Sequence, residues 1–222
     1  MNLIKKLYAY RFELFFYSLI LILFGPLFFK ENILDSYISP LLFVINVASG
    51  VLVFKKQKKQ SLIIKGILII ILLVFFYRFF SDSNNIIDYI RFFLYFIFYT
   101  LVTFEIISQV WSTKQVNKTV IYGLMSGYIS LGLIGFFIFI TIEMIAPNSF
   151  AGLTGSGMSS KNINDIMYYS YVSLMTIGYG DIMPVTNIAQ KASIFVAMIG
   201  QFYMVIITAV VVEKYIRFSQ KD

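Results

Sequence analysis

The chain has no cysteine and no histidine among its 222 residues. That excludes disulfides, thiolate nucleophiles, imidazole bases and the usual ligands of zinc, haem and iron–sulfur clusters, and it weakens most hydrolytic and redox readings. Charge is also scarce, with 13% of residues charged against 59% hydrophobic. That balance belongs to proteins that cross a bilayer several times and not to soluble domains. The formal net charge of +7 would suggest nucleic acid in a soluble protein, so the lysines must be placed relative to a membrane before they carry meaning.

Six apolar runs, at 12–29, 37–54, 62–80, 86–107, 120–145 and 188–212, are near or above the length a helix needs to cross the hydrocarbon core. The first follows Lys5, Lys6 and Arg11 as a signal peptide would, but it lacks a small-residue cleavage pattern and reads as an uncleaved span. Placing both termini in the cytoplasm puts 13 lysines and arginines inside and leaves five outside, namely Lys30, Arg78, Arg91, Lys161 and Lys191. The bias predicts a multi-pass protein of the cell membrane with both termini cytoplasmic. Its basic residues then imply membrane lipid, and no nucleic acid, as a partner.

The segment between the last two runs departs from this pattern. "APNSFAGLTGSGMSSKN" is small and polar and predicts an exposed outer loop. Asn162, Asn164 and Asp165 then offer N-caps for "DIMYYSYVSLM", about 16 Å of helix at 1.5 Å per residue and only half a membrane. Non-helical "TIGYGD" follows at 176–181, and backbone without a ladder is tolerated at that depth only inside protein or against a water-filled path. The pattern is that of a re-entrant loop.

A dehydrated potassium ion needs oxygens in place of its water shell, and a row of backbone carbonyls supplies them. Consecutive carbonyls point one way only if alternate residues leave the ordinary backbone regions, which Gly178 and Gly180 do without steric cost. Thr176 can add its hydroxyl, and the carboxyl end of the short helix favours a cation. Tyr179, turned away from the ion, can brace the loop against Tyr168 and Tyr169, although core or interfacial packing accounts for those two tyrosines equally well.

These residues resemble the potassium channel pore family, whose filter reads threonine, valine or isoleucine, glycine, tyrosine, glycine. The match is "TIGYG" at Thr176 to Gly180, with "YYS" before it and "DIMPVT" after it. The stretch from "VIYGLMSGYISLGL" to "IGQFYMVIITAVVVEKY" looks like the small bacterial six-span potassium channels with a single pore loop and no cytoplasmic gating domain. The resemblance implies a selectivity filter of Thr176, Ile177, Gly178, Tyr179 and Gly180. Potassium would be held by the carbonyls of the first four and by the Thr176 hydroxyl. It also implies Asp181 at the outer mouth and Tyr168, Tyr169, Val172 and Met175 as filter support. Met175 stands where many members have a second threonine, and Val172 where some carry a buried acid that braces the outer aspartate. One loop cannot close a ring, so a homotetramer follows, with no cofactor beyond potassium as the permeant ligand.

The expected fold is an all-α membrane protein of six transmembrane helices, with a re-entrant pore helix and selectivity-filter loop between the fifth and sixth and a homotetrameric pore. Residues 1–110 would form a four-span membrane domain, 111–119 an interfacial linker anchored by Trp111, 120–213 the pore domain and 214–222 a short cytoplasmic tail. The pore domain would comprise an outer helix at 120–145, a pore helix at 164–175, the filter at 176–181 and an inner helix at 188–212. With ten residues after Val212, a soluble gating domain is not expected. The fourth run holds a single basic residue, Arg91, beside the acids Asp88 and Glu105, too little positive charge for a voltage sensor, so the first four spans read as scaffold. Gly200 is a hinge position or a close-packing one. The expected function is a passive potassium channel and not an enzyme. A non-selective monovalent cation channel and a non-conducting scaffold or regulatory subunit are the alternatives.

Overall fold

Proline and glycine decide where the first helices start and stop. In the computed structural model, which describes residues 7–28, 38–54, 66–74, 77, 85–113, 117–155 and 159–219, helix α1 is Arg11–Phe24 and gives way to a 3-10 turn, Gly25–Leu27. Pro26 has no N–H for the ladder, and its ring clashes with the preceding turn. Helix α2, Ser39–Val53, carries Pro40 in its first turn, where a missing N–H costs nothing. Residues 66–74 are also helical. Helices α3, Asn85–Ser112, and α4, Lys118–Ile145, have 28 residues each. After α4 come strand β1, Phe150–Ala151, the short helix α5, Ser160–Leu174, strand β2, Met183–Pro184, and helix α6, Asn187–Ser219.

Among the described residues three helices are long and apolar enough to cross a membrane: Ile86–Ser112, Lys118–Ile145 and Asn187–Glu213. They match the fourth, fifth and sixth runs of the sequence. The first two runs form helices of 14 and 15 residues. Of the run at 62–80, all but 66–74 and 77 lies outside the described residues. Residues 214–219, read as tail, continue α6 as helix.

The chain divides into two compact units, Met1–Gly127 and Tyr128–Asp222, with the boundary inside α4. In the first, α1 packs on α2, and Gly50 admits the rings of Phe98 and Phe15, since a Cβ there would lie 2.6 Å from Phe98 Cζ. The same helices share a buried polar network. Asn46 Nδ2 donates to Ser18 Oγ at 2.8 Å, the Ser18 and Ser49 hydroxyls are 3.0 Å apart, and the Tyr99 hydroxyl donates to Asn46 Oδ1 at 2.6 Å. Lipid tails are as apolar as leucine, so close packing and such bonds hold membrane helices together where apolar burial alone does not. Closer to the chain's start, Arg11 donates to Gln109 Oε1 at 3.1 Å, and Gln109 Nε2 reaches the Val53 carbonyl at 2.6 Å.

The second unit is built on an aromatic cluster, with Phe136, Phe137 and Phe139 of α4 fully buried. Phe139 meets Phe150 edge to face and Tyr169 at a tilt, with ring centroids 5.5 and 5.1 Å apart. β1 and β2 pair antiparallel, Phe150 with Pro184 and Ala151 with Met183, a feature the all-helical reading did not contain. The short helix expected at 164–175 begins at Ser160, because Ser159 is its cap and accepts from the Asn162 amide at 3.4 Å. Its fifteen residues span about 22 Å, short of the ~30 Å hydrocarbon core.

Asn46 is the hub of the buried network, so Asn46→Leu takes one hydrogen-bond partner from the hydroxyl of Ser18 and one from that of Tyr99. It should lower stability by about 1–2 kcal/mol. In thermal unfolding of the detergent-solubilised protein, Asn46→Leu combined with Tyr99→Phe should cost less than the sum of the two single changes.

Candidate functional site

The short helix α5 is pinned from two sides by residues that lack side chains. Ser170 Oγ donates to the Gly132 carbonyl at 2.7 Å, and the Tyr171 hydroxyl donates to the Ile129 carbonyl at 2.8 Å. Each of these α4 carbonyls has a second lone pair to offer a side chain. A Cβ on Gly132 would overlap the Tyr171 ring, and one on Gly135 would crowd Ser170 Oγ and Val196. On the other side, a Cβ on Gly200 of α6 would overlap the carbonyl oxygen of Leu174, the last residue of α5. Gly200 sits within uninterrupted helix, where its lack of a side chain lets α6 close on the end of α5.

The loop that follows is tied back to the last turn of α5. The amides of Met175, Thr176 and Ile177 donate to the carbonyls of Tyr171, Ser173 and Val172 at 2.9, 3.0 and 2.9 Å. Beyond this anchor the backbone alternates. Thr176, Gly178 and Gly180 have φ of 56°, 62° and 82°, with ordinary φ at Ile177 and Tyr179 between them. Such alternation is what lets consecutive carbonyls share one side of a chain. The two glycines have open space around them, so φ, and not crowding, requires them. Thr176 has a β-branched side chain in a region such residues rarely enter, a strain of about 1–3 kcal/mol held by its neighbours. The sequence pattern pointed to Gly178 and Gly180 but gave no sign of Thr176. Met175 to Asp181 are all exposed in the single chain, Tyr179 at 70%.

The residues read as support fall into different places. Val172 is buried and supplies a carbonyl to the loop, whereas Met175 caps α5 with its side chain exposed. Tyr169 is buried between Phe139 and Phe150 and bonds Ser193 Oγ at 2.7 Å, so packing accounts for it. Tyr168 reaches the loop's end, where its hydroxyl donates to Asp181 Oδ2 at 2.8 Å. The carboxylate bond holds the Tyr168 hydroxyl above the ordinary tyrosine range, with partial burial and the charge of Asp181 adding to the effect. This bond ties the end of the loop to the helix that starts it. It was not read from sequence, because nothing in the spacing of 168 and 181 marks a contact.

Residues 127–217, about two fifths of the chain, match the sequence model of a family described as ion channel. Nothing among the curated proteins or the solved structures matches the chain. The matched stretch contains α5, the loop and all but the last two residues of α6, and together with the membrane-length apolar helices it supports ion channel activity in a membrane.

The Tyr168 bond has a pH signature. A hydroxyl whose folded value is raised contributes below the ordinary tyrosine range and loses its contribution as pH rises through the raised value. Subtracting the ultraviolet titration of Tyr168→Phe from that of the wild type should give a midpoint above the ordinary tyrosine range. Asp181→Asn should bring that midpoint back down.

Proposed function

We propose that the protein is a potassium-selective channel in which four chains surround one axis. The carbonyls of Thr176, Ile177, Gly178 and Tyr179, with the Thr176 hydroxyl, replace the water shell of the ion. The observation that carries this reading is the alternation of positive φ at Thr176, Gly178 and Gly180 in a loop hung from the carboxyl end of a short helix. Carbonyl rows of this kind select potassium by replacing its hydration, and the negative end of the α5 dipole adds attraction for a cation. The exposure of the loop in the single chain supports the tetramer, since non-helical backbone at membrane depth requires protein or a water-filled path around it. In the tetramer α6 lines the inner cavity and Asp181 stands at the outer mouth.

Six crossings with both termini cytoplasmic rest on the apolar runs and the distribution of lysine and arginine. The earlier helices serve as scaffold. Arg91 pairs with Asp88 at 3.1 Å within one turn of α3, and a single paired arginine carries too little charge through the field for strong voltage gating.

The test is ion flux from liposomes holding the purified protein, under a potassium gradient and then an equal sodium gradient, with Gly178→Asp alongside. Potassium flux well above sodium flux, lost to the empty-liposome level in the variant, is the expected result. Equal passage of both ions means a non-selective pore. Absence of flux under every condition points to a non-conducting scaffold.

A further inference from the structure

The outer segment 146–155 makes a continuous series of contacts that ends at the far side of the loop. Glu143, near the end of α4, accepts from the amides of Asn148 and Ser149 at 2.8 and 2.9 Å, fixing a turn in which Asn148 has φ of 66°. Ser149 is fully buried, its carbonyl accepts from the Val185 amide at 2.9 Å, and Thr186 Oγ1 donates to its hydroxyl at 3.1 Å. β1 then runs along β2, with Phe150 inserted against Tyr169. Gly152 comes next with φ of 92°, and its Cα faces the backbone of Asp181 so closely that a Cβ would overlap the Asp181 carbonyl oxygen. Past Gly152, the amide and hydroxyl of Thr154 donate to Asp165 Oδ2 of α5 at 2.7 and 2.8 Å, and the Gly155 amide donates to Asn162 Oδ1 at 2.9 Å.

Asp181 is therefore held twice within one chain, by its side chain through Tyr168 and by its backbone against Gly152. The geometry points to Gly152 as a positioning residue for ion selectivity, at the centre of a clasp from Glu143 to Thr154 that fixes the outer end of the 176–181 loop. Only a residue without a side chain meets both requirements of the site, a positive φ and contact with a carbonyl oxygen. Carbonyl spacing is the quantity that such a clasp protects, because a loop held slightly loose no longer matches a dehydrated ion. The inference rests on the potassium-channel reading for its effect on selectivity, but the positioning itself is independent of it.

The experiment compares wild type, Gly152→Ala and the milder Glu143→Gln, which weakens the turn without adding atoms. Two readouts are used: the ratio of potassium to sodium flux in liposomes, and amide hydrogen exchange of peptides covering 176–183 and 190–212. In Gly152→Ala the flux ratio should fall on the order of tenfold, and exchange over 176–183 should quicken about tenfold with 190–212 unchanged. Glu143→Gln should move both readouts the same way by less. Wild-type ratio and wild-type exchange in both variants would overturn the inference while leaving the channel reading intact. If the wild type itself passes sodium as readily as potassium, the channel reading fails. Exchange then decides the positional role alone, faster exchange in Gly152→Ala supporting it and unchanged exchange overturning it.

Discussion

Backbone polar groups in a membrane must be satisfied by protein or by a water-filled path, and the rest of the second unit is organised around one loop that forms neither helix nor sheet. The amides of Met175, Thr176 and Ile177 return to carbonyls of α5, and from Thr176 onward the chain alternates in φ. Alternation costs glycine little and costs Thr176 strain. That strain persists because the flanking backbone is fixed on both sides, by the last turn of α5 before it and by Asp181 after it.

Fixing α5 in turn depends on glycines placed where neighbouring helices touch it. Gly132, Gly135 and Gly200 sit within helices, where each costs roughly 0.5–1 kcal/mol of conformational entropy relative to alanine. The gain is direct contact between helix backbones and α5, with bonds from Ser170 and Tyr171 to carbonyls of α4. A side chain at Gly132 would clash with Tyr171, one at Gly135 with Ser170 and Val196, and one at Gly200 with the Leu174 carbonyl.

The sequence was legible where a local rule suffices. Apolar length located α3, α4 and α6, and the glycines of "TIGYG" announced positive φ at 178 and 180. It was misleading where several residues offered the same local chemistry. Asn162, Asn164 and Asp165 all resemble helix caps, yet Ser159 takes the role, while Asn162 and Asp165 hold the backbone of residues 154 and 155. It was silent where the decisive partner is distant along the chain. The contact of Gly152 with Asp181, the Tyr168 bond and the β1–β2 pairing follow from tertiary structure, and no periodicity or spacing announces them. The positive φ of Thr176 belongs with these, since β-branched residues rarely adopt it without surrounding constraint.

The most direct test of the account is an electron cryomicroscopy map of the purified protein in potassium. The account predicts four chains with their 176–180 loops facing one axis, and density for ions on that axis level with the carbonyls of Thr176 to Tyr179. A map in which the loops face lipid, or lie apart with no shared axis, would contradict it.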